Sequence, residues 1–144
     1  MSDFRPLSAQ FSVAPQIDLE DIAVAKAQGF AMVVNNRPDG EDPTAPQGPQ
    51  IAHACAAEGL AYAAIPIGHS GFSHAQLDAL DTLLADATGP VLAYCRSGTR
   101  STHLWALTRA RAGESVEAIC EAAARAGYDL GALRPMMEAL AGGR

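Results

Sequence analysis

Cys95 is followed by Arg96, Ser97, Gly98, Thr99, Arg100 and Ser101, a run that has the parts of an anion-handling nucleophile. Successive backbone N–H groups in a tight loop form a concavity that binds anions. A helix starting directly behind the loop adds the positive end of its dipole. Gly98 permits backbone angles closed to other residues. Arg100 is suited to gripping an oxyanion through two parallel hydrogen bonds. At the centre of such a cradle the Cys95 thiolate is favoured and reactive. Ser101 is placed to donate its hydroxyl to that thiolate. Arg96 is expected at the rim, where it attracts anions, while Ser97 and Thr99 contribute mainly loop N–H groups. The competing reading is a small buried hydrophobe at a strand end, and the coincidence of so many cradle parts weighs against it. Cys55 and Cys120 lie in predicted helices flanked by Ala, and there the hydrophobe reading is the better one.

The elements that must position this loop follow from hydrophobic pattern and breakers. Phe11 to Val13 reads as a first strand. Asp18 caps a helix that runs to about Gln28 and stops at Gly29. The continuous apolar run from Phe30 to Asn35 reads as a strand buried on both faces. Asn36 to Pro49 is dense in Pro, Gly and Asp, too irregular for helix or strand, and long enough to be functional. A helix is expected from Gln50 to Gly59 and a strand from Ala61 to Ile67. Ser73 caps a helix carrying Leu77, Leu80, Leu83 and Leu84, and Gly89-Pro90 ends it. Val91 to Tyr94 is a short buried strand that feeds Cys95, and a helix runs from Ser101 to about Arg111. Two further helices, Ser115 to Ala126 and Leu130 to Leu140, complete the chain. Leu104, Trp105, Leu107, Ile119, Ala122, Ala123, Ala126, Leu133, Met136, Met137 and Leu140 read as core.

Strands alternating with helices predict an α/β domain with a mainly parallel central sheet flanked by helices, spanning residues 1–144. In such sheets the site lies beyond the carboxyl ends of the strands. Three loops leave those ends, over residues 36–49, 68–72 and 95–100, and they are expected to converge.

Composition narrows the function classes. Hydrophobic residues make up 49% and charged residues 18% of the 144 residues, which excludes a disordered tail or a coiled coil. The net charge of −6 with no basic stripe argues against nucleic-acid binding. No apolar run reaches bilayer-spanning length, and MSDFRPLSAQ lacks the layout of a secretory signal, so a cytoplasmic protein without membrane contact is expected. The three Cys form no CxxC pair and no metal-ligand spacing, so no metal, no cofactor and no disulfide framework are expected. The Ala-rich C-terminal face leaves a homodimer contact open.

The Cys95–Ser101 run resembles the active loop of rhodaneses and the signature of cysteine-dependent protein tyrosine phosphatases. With Asn35-Asn36-Arg37-Pro38-Asp39-Gly40-Glu41, Tyr62 and Ile65-Pro66-Ile67 added, residues 10–110 resemble one family more closely. This is the phosphatase-like domain of the beta-lactamase hydrolase-like proteins. The resemblance implies a dual-specificity-phosphatase-like fold. In some relatives this domain is fused to a metallo-beta-lactamase-like sulfur dioxygenase; these 144 residues are expected to hold the phosphatase-like part alone.

Loop length separates the candidate reactions. Tyrosine phosphatases place five residues between Cys and Arg, and this chain places four. The shorter cradle suits a single persulfide sulfur, as in rhodaneses. Related phosphatases carry an acidic Asp after the strand that here reads Ile65-Pro66-Ile67; this chain has Gly68-His69-Ser70-Gly71. His69 is either a substitute acid or an exposed loop histidine. Asp39 is either an acid or turn chemistry within Pro38-Asp39-Gly40. Arg37 and Glu41 either line the mouth or are solvated. Tyr94 stands where phosphatases usually have His. The leading expectation is therefore a sulfurtransferase that takes sulfur from thiosulfate or a persulfide onto Cys95, a route that needs no acid. The alternative is a phosphatase acting on a phosphorylated substrate through a Cys95 thiophosphate, held by Arg100 and the loop amides. A third possibility is a non-enzymatic anion-binding or persulfide-sensing module.

Overall fold

The computed structural model describes residues 2–143. A five-stranded sheet is formed by β1 (Arg5–Ser8), β2 (Phe11–Ala14), β3 (Met32–Asn35), β4 (Ala61–Ala64) and β5 (Val91–Tyr94), in the order β1-β2-β5-β3-β4. β2, β5, β3 and β4 are parallel, and only β1 runs antiparallel, in a hairpin with β2. The predicted parallel α/β architecture is what the chain adopts.

The central strands β3 and β5 are buried at all four positions, as their continuous apolar runs require. Their side chains alternate between two cores. Met32, Val34, Val91 and Ala93 face one side, where they meet α3 (His74–Asp86), α4 (Thr99–Arg111), α5 (Val116–Arg125) and α6 (Arg134–Gly142). Val33, Leu92 and Tyr94 face the other, against Ile22 of α1 (Leu19–Ala27) and Ile51 and Cys55 of α2 (Gly48–Glu58). α4 is covered on nearly every face, and its buried hydroxyls are satisfied locally. Thr102 donates to the Gly98 carbonyl (2.8 Å) and Thr108 to the Leu104 carbonyl (2.7 Å). Ser73 caps α3 as expected, its Oγ accepting from the Gln76 N–H.

Several boundaries differ from expectation, each for a local reason. β1 has one buried side chain, Leu7, and therefore no apolar run to announce it. β4 ends at Ala64 rather than Ile67. Pro66 offers no N–H, yet Ile65 and Ile67 still donate to the Asn35 and Asn36 carbonyls (both 2.9 Å). α4 begins at Thr99, two residues early, because Gly98 takes a left-handed conformation (φ +89°) and starts the helix inside the loop. The last helix begins at Arg134, after a short 3-10 turn over Gly131–Leu133.

The parallel register is flush where it matters. Ala14 and Asn35 both pair with Tyr94, and Asn35 pairs with Ala64. Four strands thus end at one level, and the segments that follow them emerge side by side. No helix among the described residues is long and apolar enough to cross a membrane.

Candidate active site

Cys95 is the first residue beyond β5, and its side chain is 1% exposed. The chain turns tightly under the sulfur, so that the Gly98 N–H donates to Sγ (3.2 Å). The first amides of α4 have no intrahelical acceptors, and the Thr99 N–H donates to the Ser97 hydroxyl (3.4 Å). Tyr128 closes the loop from behind, its hydroxyl donating to the Ser97 carbonyl (2.9 Å). A side chain at 98 has no room: a Cβ there would lie 2.1 Å from the Tyr128 oxygen and 3.4 Å from the Ala14 carbonyl. Gln16, just past β2, ties the loop's other side by donating its N–H to the Arg96 carbonyl (3.2 Å). Ser97 and Thr99 are exposed and bond to each other through their hydroxyls (2.9 Å).

The second loop, residues 36–47, is assembled by side chains. Asn35 accepts from the Arg37 N–H (2.9 Å) and donates to the Tyr62 hydroxyl (3.1 Å). Asn36, fully buried, donates to the Ile65 carbonyl (2.9 Å) and accepts from the Ser101 hydroxyl (2.7 Å). Gln47 gathers the loop by accepting from the Gly40 N–H and donating to the Asp42 and Ala45 carbonyls. This scaffold delivers Glu41 across the mouth of the first loop. Its carboxylate accepts from Arg100 Nη1 and Nη2 (2.8 and 2.7 Å) and from Arg37 Nε (2.8 Å). Arg100 and then Arg37 hold the Glu41 carboxyl at about 2, far below its ordinary 4.5.

Arg100 is thereby aimed. Its end-on edge is taken by Glu41, and Nη1 also donates to the Ile67 carbonyl (2.8 Å). Of the five guanidinium donors, Nε–H and one Nη2–H remain, and these form a side edge whose two parallel donors suit paired oxygens. Arg100 is held above the usual arginine basicity by Glu41 foremost, and to a lesser degree by Cys95.

Arg37, Glu41, Asp42, His69, Arg96 and Arg100 line one open pocket of about 300 Å³. All three predicted loops contribute to it, so the expected convergence is present. His69 comes from the segment after β4, which Phe72 anchors by packing on His103 of α4. Two expectations change. Asp39 does not face this pocket: its Oδ1 accepts from the Gly48 N–H (2.8 Å), where the positive end of α2 draws a carboxylate. Ser101 bonds Asn36 instead of the Cys95 sulfur, because its buried hydroxyl faces the end of β3. Asn36 and Glu41 carry more of the construction than the sequence reading assigns them; the Asn-Asn pair at the end of a buried strand is the available signal.

The other two cysteines stand apart. Cys55 is buried in the α2 core, where burial pushes its thiol up to about 11. Cys120 is half-buried, with Arg134 Nη1 at 3.4 Å. Among the described residues no group of three or more His, Cys, Asp or Glu is arranged to hold a metal.

Comparisons with known proteins agree with this construction. Residues 3–112 match the family model described as beta-lactamase hydrolase-like protein, phosphatase-like domain. A beta-lactamase hydrolase-like protein of Agrobacterium fabrum is 36% identical over 107 residues, covering 74% of this chain and 25% of that protein. One from Xylella fastidiosa is 30% identical over 126 residues, covering 87% and 29%. The chain therefore spans about a quarter of the length of these relatives. Among solved structures, a protein of Neisseria meningitidis provisionally described as a phosphatase superposes with a TM-score of 0.86 at 28% identity, covering 97% of this chain and 99% of that one. Tk-PTP in its active form, at 16% identity and a TM-score of 0.74, covers 97% of each chain and shares the fold. With the family model covering the sheet, both loops and α4, the chain belongs to the phosphatase-like domain family of the beta-lactamase hydrolase-like proteins.

Proposed function

We propose that this protein is a cysteine-dependent phosphatase that hydrolyses phosphate monoesters through Cys95. The observation that carries the reading is the meeting of three guanidiniums, Arg37, Arg96 and Arg100, with His69 over the Cys95 loop. A phosphoryl dianion needs donors such as the Arg100 side edge and the loop amides, further guanidiniums draw anionic substrates to the mouth, and the leaving oxygen needs a proton. The family and the likeness to the Neisseria phosphatase-like structure favour phosphoryl over sulfur transfer.

In this reading the Cys95 thiolate attacks phosphorus as the bond to the ester oxygen breaks. The side edge of Arg100 and the amides of residues 97–101 hold the equatorial oxygens. Glu41 has no proton to give at neutral pH, because Arg100 and Arg37 keep it ionised. Asp42 is held low by the Thr44 hydroxyl and amide. His69 is the pocket side chain whose type changes charge near neutrality. As the imidazolium it protonates the leaving oxygen; as the neutral ring it then takes a proton from the water that releases phosphate from sulfur.

A second reading has one observation in its favour. The four-residue spacing from Cys95 to Arg100 gives a small cradle suited to sulfur transfer from thiosulfate. Two assays on the same preparation separate them: phosphate release from p-nitrophenyl phosphate, and thiocyanate formation from thiosulfate and cyanide, each beside Cys95→Ser. The expected result is phosphate release abolished by Cys95→Ser. Thiocyanate formation without phosphate release would replace the phosphatase by a sulfurtransferase, and neither activity would leave an anion-binding module.

A further inference from the structure

Building on the phosphatase reading, we propose that the substrate is a small polyanion, in which a second phosphate or comparable anionic group sits beside the scissile phosphoryl group. A phosphotyrosine side chain on a protein does not fit the walls. Every residue lining the pocket is charged or titratable: Arg37, Glu41, Asp42, His69, Arg96 and Arg100. A phenyl ring is stabilised by apolar or aromatic walls, and among the described residues none lines this mouth. The aromatic side chains nearby are committed elsewhere. Phe72 packs on His103, and Tyr94 and Tyr62 lie against the second core, beneath the 36–47 loop.

The cations exceed what one phosphoryl group requires. Arg100, aimed by Glu41, presents one free edge to the transferred group. Arg37 has committed Nε to Glu41 and Nη1 to the Gln16 amide oxygen (3.0 Å), which leaves Nη2. Arg96, the residue next to the nucleophile, is exposed and makes no side-chain hydrogen bond or ion pair among the described residues. The two carboxylates offset part of this charge without occupying Arg96. Glu41 is bridged between Arg37 and Arg100, and Asp42, which feels Arg37 and Arg96 through space, makes its own hydrogen bonds to the Thr44 N–H and hydroxyl (2.9 and 2.7 Å). An uncommitted guanidinium at the rim of an anion cradle, in a protein of net charge −6, is a local positive focus. A volume of about 300 Å³ accommodates a compact molecule rather than a lone phosphoryl group. Arg96, with Nη2 of Arg37, is the second anion subsite.

The test uses a matched pair, glucose 6-phosphate and glucose 1,6-bisphosphate, with p-nitrophenyl phosphate and a phosphotyrosine peptide as references. Phosphate release is expected to favour the bisphosphate over the monophosphate at least tenfold in kcat/KM, mostly through KM. Arg96→Gln is expected to bring that ratio close to one. The same pair is titrated calorimetrically into Cys95→Ser, where at least tenfold tighter binding of the bisphosphate is expected whether or not the native protein turns it over. Equal affinities in that variant overturn the polyanion proposal, as does an Arg96→Gln protein that loses both sugars equally, or a phosphotyrosine peptide that outperforms the bisphosphate. Selective bisphosphate binding without phosphate release from any of the four compounds would instead sink the phosphatase reading and keep the subsite.

Discussion

The two loops that build this site leave neighbouring strands at the same level, yet they are held by different means. The 95–98 loop is held mainly by backbone and steric fit. Its Gly98 N–H reaches the sulfur, the Ser97 carbonyl takes the Tyr128 hydroxyl, the Arg96 carbonyl takes the Gln16 amide, and Gly98 fits where no Cβ would. The 36–47 loop is held by side-chain amides and carboxylates, from Asn35, Asn36, Asp39, Glu41 and Gln47. The first kind of loop is intolerant of volume. The second tolerates volume but responds to charge and to the loss of single hydrogen bonds. The site's geometry depends on both, because Arg100, in the first turn of α4 directly behind the first loop, is aimed by Glu41 from the second.

The largest effect is expected where volume is added to the first loop. Gly98→Ala combines the strain of a left-handed non-glycine residue with the clash against Tyr128, and should cost about 2–5 kcal/mol of stability. Denaturant unfolding measures this, and phosphatase activity should fall at least as steeply. Adding Tyr128→Phe removes the nearest clashing atom and should recover part of the loss. Complete recovery would mean that the +89° backbone angle contributes no strain.

Charge is the corresponding weakness of the second loop. Glu41→Gln removes the carboxylate that bridges Arg37 and Arg100, and kcat/KM on aryl phosphate should drop about 10–100-fold if aiming Arg100 contributes about 1.4–2.7 kcal/mol to the transition state. Stability carries a pH signature as well. Because the Glu41 carboxyl is lowered from 4.5 to about 2, its contribution is complete above about pH 4.5 and is lost as pH falls toward 2. The native protein should therefore lose stability across that interval more steeply than Glu41→Gln. Parallel curves would show that the ion pairs do not form in solution.

The link between the loops comes next in size. Ser101→Ala leaves the Asn36 side-chain oxygen buried without its donor, at a cost of about 1–3 kcal/mol. The expectation drawn from sequence placed this hydroxyl on the sulfur. If it acted there, the pH dependence of Cys95 alkylation would shift in Ser101→Ala. The structure predicts an unchanged profile with reduced stability.

This contrast also explains what could be read from the sequence. The buried strands, the helix after Cys95 and the backbone-made cradle depend on short contiguous patterns, so a run such as Val91 to Ser101 announces them. The side-chain-made loop depends on partners far apart in the chain. Glu41 meets Arg100, Asn36 meets Ser101, and Asp39 meets Gly48. Composition marked residues 36–49 as functional, but no local rule chooses between Asp39 and Glu41 as the carboxylate that enters the site. The register of β3 against β5 decides it, by carrying the loop across the Cys95 mouth. β1 escaped notice for a related reason: with one buried side chain, its strand character comes from pairing with β2.

Asp39 gives a smaller, discriminating test. As the acceptor for the first amide of α2, Asp39→Ala should cost about 1 kcal/mol of stability. It should leave kcat on an alkyl phosphate unchanged, whereas loss of a general acid would lower it. His69→Gln is the variant expected to lower it.

The smallest effect is expected at the point where the two loops share a support. Tyr94 ends β5, feeds Cys95, and extends beneath the 36–47 loop beside Asn35, Arg37, Asp39 and Gln47. Its ring is buried, and its hydroxyl has no hydrogen-bonding partner among the described residues. Burial therefore pushes the phenol far above its usual range, so the group stays neutral at any working pH. What Tyr94 supplies is ring volume against Ile17, Ile51 and Leu92 in the second core. Tyr94→Phe keeps that volume and removes a polar atom whose desolvation is uncompensated by protein, so stability should be equal or higher by up to about 1 kcal/mol. Tyr94→Ala, in contrast, should cost about 3–5 kcal/mol, as other buried aromatic truncations do. A loss of more than about 1 kcal/mol in the Phe variant would reveal a hydrogen bond from the hydroxyl to the 36–47 loop. That loop would then rest on the strand that carries the nucleophile, and the two modes of construction would be coupled through one side chain.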